Sequence, residues 1–335
     1  MPHAARAFRA LADSSIRAVV TGAAGFIGGH LTARLLAEGA DVCGLDRRHP
    51  ASDLVARRNL AEGCGQSRFS FHHVDLLTPG WEPVLNGADV VFHLAAVPGV
   101  RPSWGAAFDE YASCNVIATQ RVMNAAIHAR VPRVVVASSS SVYGRTDGRP
   151  STENAATRPL SPYGVTKLAT EALALAHAGR ADSPTTVAAL RYFTVYGPGQ
   201  RPDMLIGRVL SAALEGTPLT VYGSGEQRRD FTYIDDVVDA TLAAGRSHAS
   251  GAFNVGAGAA TSVSEVLRVA EQLTGRPVPT RPAPAADGDA PGTLADSTLA
   301  RDVFGWRARV DLQAGMRRHL KWHCSRHATR CASTA

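Results

Sequence analysis

The sequence predicts an α/β fold: a doubly wound parallel sheet with helices on both faces, and a smaller α/β lobe from the C-terminal third. Three observations carry this. Short β-branched and apolar segments alternate with segments of helical periodicity over residues 17–192. A glycine-rich turn joins the first strand to the first helix. Beyond Tyr192 the alternation loosens, and Gly and Pro rise at 197–202 and 275–292, with no internal repeat.

The elements follow in order. Arg17–Thr21 (RAVVT) reads as a short buried strand, as expected where both faces are covered. After the turn, an amphipathic helix runs to about Gly39. Asp41–Asp46, 69–74 and 88–94 supply the next three strands. Residues 108–130 have helical spacing and stop before Pro132. Residues 133–138 form a fifth strand and 185–191 a sixth. Between them lies a helix over 161–178, which Ser161 can cap and whose first turn suits Pro162. The Pro/Ala-rich stretch 276–290 reads as a loop over the surface or the substrate. The predicted organisation is a sheet domain of 14–194 plus 231–257 and a second lobe of 195–230 plus 258–325. Residues 1–13 and 326–335 are expected to be flexible termini.

Composition excludes several classes. With 45% hydrophobic and 19% charged residues among 335, the chain is not a disordered scaffold. No apolar run reaches membrane-spanning length, and the N-terminus lacks the apolar core of a secretory signal. The five cysteines are scattered and form no CxxC pair, which fits reduced thiols and a cytoplasmic location. The net charge of +6 is diffuse, so neither nucleic acid nor a membrane is an expected partner.

Residues 21–28 read TGAAGFIG. Gly22 suits the tight turn, Gly25 lets the backbone approach a pyrophosphate, and Gly28 lets the helix pack on the sheet. The helix N-terminus offers N–H donors and a positive dipole to phosphates. Asp46 closes the second strand 18 residues after Gly28. Its carboxylate can accept from a ribose 2′-hydroxyl and repels a 2′-phosphate, which favours NAD over NADP. Arg47 and Arg48 follow at once and soften that preference.

Tyr163 and Lys167 lie four apart and share a helix face. The chain has seven tyrosines and two lysines, Lys167 and Lys321, so chance rarely supplies this pairing. An ammonium beside a phenol favours phenolate and equips it as a general base. The bland alternative is an exposed helix lysine beside an interface tyrosine.

TGAAGFIG at 21–28, HLAA at 93–96, SSSSVYG at 138–144 and YGVTK at 163–167 resemble the extended short-chain dehydrogenase/reductases. RYFTVYGPGQRPD at 191–203 and RRDFTYIDDV at 228–237 narrow the resemblance to the nucleotide-sugar epimerases and dehydratases, over roughly residues 16–322. The resemblance implies a Rossmann-type sheet and tightly bound NAD, regenerated in each turnover. It implies that Tyr163 takes the proton from the sugar 4-hydroxyl while hydride passes from C4 to NAD. Lys167 would bridge the nicotinamide ribose and lower the tyrosine pKa, and Ser139 would hydrogen-bond the reacting oxygen. Cofactor contacts are implied at Gly22, Gly25, Phe26, Ile27, Gly28, Asp46, Arg47, Asp75, Leu76, Leu94, Ala95, Ala96, Tyr163, Lys167 and Tyr192, with Asn115 in support. A homodimer through the helices at 108–130 and 161–178 is implied as well.

Dehydratases of this family carry an Asp-Glu pair directly after the residue matching Ser139; here Ser140 and Ser141 stand there. The Glu typical of uronate decarboxylases is also absent from this motif. C4 epimerisation remains. Ser140, Ser141 and Thr194 replace apolar or amide side chains found in neutral-hexose epimerases, and three hydroxyls suit a C6 carboxylate. With HLAAVPGVRPSW at 93–104, this resembles the UDP-glucuronate 4-epimerases. The serine run can also be a polar strand edge in which only Ser139 is functional. A UDP-glucose/UDP-galactose 4-epimerase and a decarboxylating uronate enzyme stay open, as does a dinucleotide-binding sensor.

For the nucleotide end, Arg229 matches a pyrophosphate-binding arginine of the family, 219–222 including Val221 would flank the uridine, and Arg201 would position sugar and loop. A second family arginine is replaced by Ala286, followed by Asp287, Gly288 and the candidate contact Asp289; Arg276 or Arg281 are possible substitutes. His319, His323 and His327 recur every four residues beside Cys324; no metal is expected, and they read as a solvated helix end. His72, His73 and His93 read as structural.

Overall fold

The computed structural model describes residues 16–284, 290 and 292–333, with side chains up to Ser325. The chain order is β1 (Arg17–Thr21), α1 (Phe26–Ala37), β2 (Asp41–Asp46), α2 (Leu54–Asn59), β3 (Phe69–His73), β4 (Val90–His93), α3 (Phe108–Tyr111), α4 (Ala118–His128), β5 (Arg133–Ser139), α5 (Pro162–Ala178) and β6 (Thr186–Tyr192). It continues with β7 (Thr194–Tyr196), α6 (Leu205–Glu215), β8 (Leu219–Tyr222), β9 (Arg228–Tyr233), α7 (Ile234–Arg246), β10 (Gly251–Val255), β11 (Ala260–Ser262), α8 (Val263–Thr274), β12 (Thr280–Ala283), α9 (Thr298–Phe304) and α10 (Leu312–Ser333).

Seven strands form a parallel sheet in the order β10-β6-β5-β4-β1-β2-β3. The chain leaves β1 toward β2 on one side and returns to β4 on the other, so the order reverses between β1 and β4. In such sheets ligands bind outside the carboxyl ends of the strands at this reversal. Register aligns the relevant ends: Thr21 faces His93, and Ser139 faces Tyr192. One apolar core lies between the sheet and α1 and α7; a second lies on the other face, under α4. The sheet is therefore buried on both sides, which is why β1, β4 and β5 read as continuous apolar runs.

The strand and helix boundaries agree with the sequence to within two residues. Ser161 caps α5 by accepting from Gly164 N at 3.1 Å, and Pro162 occupies its first position. The helix expected over 108–130 contains a π-helical segment, Ala112–Ile117, between α3 and α4. Such a widening commonly marks a functional position, and Asn115 sits in it.

The second lobe holds a sheet of order β11-β9-β7 and the pair β12–β8. Here the structure corrects the expected loop over 276–290, because Thr280–Ala283 pairs in parallel with β8. A four-residue strand containing Pro282 carries no periodic signal, and proline is tolerated there because the strand is an edge. The expected flexible residues 1–13 lie outside the described residues, and α10 carries the backbone on to Ser333.

Candidate active site

One cleft of about 1090 Å³ opens at the carboxyl edge of the sheet and runs between the lobes. Its first wall is the β1–α1 turn. Gly22 has φ +72°, and a Cβ there would stand 2.7 Å from Ala95 N, so turn and β4 end meet backbone to backbone. A Cβ on Gly28 would lie 2.1 Å from the Gly22 carbonyl oxygen, which places α1 directly on the turn. Gly25 caps α1 without a side chain, and no acidic residue occupies the first turn. The N–H groups of that turn thus face a cleft suited to phosphate. Asp46 is nearly buried and accepts from Ala24 N at 3.0 Å and Arg48 N at 2.9 Å. Arg47 lines the cleft and pairs with Glu110 at 2.7 Å, and Arg48, also on the wall, lies 3.6 Å from Asp46. Phe26, Ile27, Asp75, Leu76, Leu94, Ala95, Ala96 and Tyr192 complete this wall. These residues fit a dinucleotide.

Tyr163, Lys167 and Ser139 converge deeper in the cleft. Ser139 hydrogen-bonds the Tyr163 hydroxyl and also accepts from Ser141 N at 3.1 Å. Burial raises the Tyr163 pKa; the Ser139 bond and the Arg201 cation oppose that, and Tyr111 adds to it. Burial also pushes the Lys167 ammonium down, to about 8, against the upward pull of Glu171. Asn115 does not line the cleft. It grips Val97 through Oδ1 at 2.7 Å and Nδ2 at 3.1 Å, and donates to Thr166 at 3.0 Å, which fixes the loop after β4 against α5.

On the substrate side Ser140, Ser141, Thr194, Arg201 and Arg229 all line the cleft. Arg201 donates to the Pro98 carbonyl at 3.0 Å and pairs with Asp203 at 2.7 Å. Val221 does not reach the cleft; it packs on the core. Its neighbour Tyr222 lies under the Arg101 guanidinium, 4.1 Å from ring centroid to Cζ. Asp289 and Ala286 lie outside the described residues. Neither Arg276 nor Arg281 substitutes there: the first donates to the Leu214 carbonyl and the second to Thr220.

Sequence reasoning missed Ser103, which accepts from Tyr163 N at 3.1 Å and pins the 98–104 loop to the start of α5. It also missed Gln200, Ala290, Thr293 and Trp322 on the cleft wall. No local signal marks these residues, since the fold brings them in from separate segments. His319 and His323 correct the expected solvated helix end. His319 is 1% exposed, and His323 Nε2 meets Ser211 Oγ at 2.9 Å. The i, i+4 spacing that suggested a surface repeat puts both on the helix face that reaches the cleft wall. His327 lies beyond the described side chains. His93 is buried between Thr21 and Thr119, at 2.8 and 3.0 Å, and is structural.

The profile of the NAD dependent epimerase/dehydratase family matches residues 18–256. The chain belongs to this family. An uncharacterized UDP-glucose epimerase of Bacillus subtilis (strain 168), YtcB, is 39% identical over 92% of this chain and 98% of its own. MoeE5, solved with UDP-glucose and NAD and with UDP-glucuronic acid and NAD, is 46% identical. In the UDP-glucose complex the match covers 93% of this chain and 99% of that one, with a TM-score of 0.85. The UDP-glucuronic acid 4-epimerase of Bacillus cereus, solved with UDP-glucuronic acid and NAD, is 36% identical over 92% of this chain and 99% of its own, with a TM-score of 0.87. The family member described here is an NAD-dependent nucleotide-sugar epimerase, and the Gly22–Gly28 turn with Asp46 fits its cofactor. Among the described residues, no helix is long and apolar enough to cross a membrane.

The buried histidines give a pH dependence of stability. Burial lowers the His319 pKa to about 4. The unfolded chain protonates this imidazole below about 6.5 and the folded one does not, so stability falls as pH drops from about 6.5 toward 4. At pH 5 the His319 share is about 2 kcal/mol. Urea unfolding at pH 7 and pH 5 should show this loss, and His319→Gln should shrink it; an equal pH slope in both proteins would refute the assignment.

Proposed function

We propose that this protein interconverts UDP-glucuronate and UDP-galacturonate by epimerisation at C4. The observation that carries the reading is the set of hydroxyls, Ser139, Ser140, Ser141 and Thr194, on the cleft wall that also holds Tyr163 and Arg201. Nothing acidic stands at 140 or 141 to drive elimination, and hydroxyl donors beside a guanidinium suit a carboxylate at C6. The Bacillus cereus enzyme and MoeE5, both solved with UDP-glucuronic acid, support the acid substrate.

In this reading Tyr163 removes the proton from the 4-hydroxyl and returns one after the sugar has turned. Ser139 holds the reacting oxygen and the tyrosine hydroxyl together. Lys167 supplies positive charge beneath the nicotinamide ribose. Asp46 takes the adenosine ribose, Asp75 approaches the adenine, and the backbone at Leu94–Ala96 lines the dinucleotide. Arg229 takes the diphosphate, while Arg201 ties sugar to the 98–104 loop. When bound, NAD would supply the hydride acceptor and donor for C4 and would be retained between turnovers. The 4-keto uronate is a β-keto acid prone to lose CO₂. Hydroxyls on its carboxylate keep the breaking bond out of line with the carbonyl π system.

A second reading, UDP-glucose 4-epimerase, is favoured by YtcB and by the MoeE5 complex with UDP-glucose. The chain would act in the cytoplasm, consistent with free thiols at Cys43, Cys64, Cys114 and Cys324. It would act as a homodimer. Exposed Phe108, Ile117 and Val165 lie on the two helices that would pair.

Purified protein without added NAD should convert UDP-glucuronate to UDP-galacturonate with little pentose, read by anion-exchange chromatography and proton NMR. Turnover of UDP-glucose alone would leave the chemistry of Tyr163 standing and remove the role of the hydroxyls. Tyr163→Phe should keep its NAD and lose roughly 10²- to 10⁴-fold in kcat. Thr194→Val should raise the pentose by-product, and an unchanged product ratio would count against the clamp. Ile117→Arg with Val165→Glu should give a monomer by light scattering; a persisting dimer would place the interface elsewhere.

A further inference from the structure

A buried polar network lies directly behind the reacting residues, and the mechanism above does not use it. Tyr163, Lys167 and Glu171 follow one another at four-residue intervals on one face of α5. Glu171 is 4% exposed, and both of its carboxylate oxygens are occupied. Oε2 accepts from Ser138 Oγ at 2.7 Å and from Arg191 Nε at 3.0 Å, and Oε1 accepts from Arg191 Nη2 at 2.5 Å. Arg191 donates onward to the Tyr143 hydroxyl at 2.9 Å, which donates to Asn254 Oδ1 at 2.6 Å. The parallel strands β5 and β6 and the crossover helix α5 are thereby joined through one carboxylate.

Such a pair is costly to bury and is weak evidence for stability alone. Its position suggests another use. Ser138 adjoins Ser139, and Lys167 stands one turn above Glu171. We propose that Glu171 is a positioning residue for Lys167: clamped by Ser138 and Arg191, it holds a fixed negative charge one turn from the ammonium and so keeps Lys167 protonated.

The other groups around Lys167 do not supply that charge. Tyr163 on the same helix is held toward its neutral form by burial, and Tyr111 on α3 likewise. His93 on β4 is neutral, with a pKa of about 3. Arg191 on β6 and Arg201 in the loop after β7 are cations. Lys167 itself is pulled down by burial to about 8 while Glu171 pulls it up. Loss of the carboxylate would leave the lysine only partly protonated near neutral pH.

The chain contains only two lysines, which makes the test direct. Holoenzyme labelled biosynthetically with [ε-¹³C]lysine should show two side-chain resonances, and Lys321→Arg assigns them. In Glu171→Gln the Lys167 midpoint should fall by about one pH unit, with Glu171→Asp staying near the parent. The alkaline limb of kcat, read with whichever UDP-sugar turns over, should move down by the same amount. An unchanged Lys167 midpoint would overturn the proposal, even if turnover fell at every pH, because that pattern is a structural role. If Glu171→Gln does not fold, Glu171→Gln/Arg191→Met is read against Arg191→Met, so that the difference between the two isolates the carboxylate. The inference rests on the epimerase reading of the site, yet the resonance reports Lys167 with no substrate present, so the two can fail separately.

Discussion

The backbone contact at Gly22 is the constraint on which the rest of the site depends. Gly22 N donates to the Leu45 carbonyl at 2.8 Å, its own carbonyl takes Gly25 N at 2.9 Å, and its α-carbon faces Ala95 without a side chain between. Ends of β1, β2 and β4 and the start of α1 therefore meet within one turn. A side chain at Gly22 would push β4 away from β1, and with it His93, the 94–98 loop and the Asn115 grip on Val97. The dinucleotide site and the reacting centre are thus parts of one packing arrangement.

The second lobe is joined to that arrangement by a buried carboxylate. Asp230 is fully buried and accepts from Ala257 N, Gly258 N and Ala295 N at 2.8, 2.9 and 3.1 Å. Three backbone donors offset much of the desolvation cost of the charge. Burial still raises its pKa, with those same bonds opposing. Asp230 directly follows Arg229 on β9, so the staple that closes the lobe also fixes the strand from which Arg229 reaches the cleft. The Asn254 amide links the same region to the reacting side: it donates to the carbonyls of Ser151 and Asp296.

Chemistry in the cleft follows from what stands next to Tyr163 more than from the fold. A seven-stranded sheet with this cofactor turn serves both epimerases and dehydratases within the family. In the proposed reading, hydroxyls in place of an acidic pair remove the means of elimination and suit a negatively charged sugar. The two residues that follow β5, Ser140 and Ser141, would thereby bear on both reaction and substrate.

The sequence by itself determined the sheet, the cofactor turn and the Tyr163–Lys167 helix, because these are local: strand runs, a glycine turn followed by Asp46, and a four-residue helical repeat. It placed Ser140, Ser141, Thr194 and Arg229 on the cleft through family resemblance, and the structure brings them there. What it did not show was non-local. β12 exists only because β8 offers it an edge. Ser103 touches Tyr163 N across sixty residues, and His323 meets Ser211 of α6 across more than a hundred. Val221 faces the core and not the cleft, a choice of face that a four-residue strand does not record. Spacing gives Tyr163 and Lys167 a shared helix face, whereas burial and neighbours from other elements decide what a charge on that face can do.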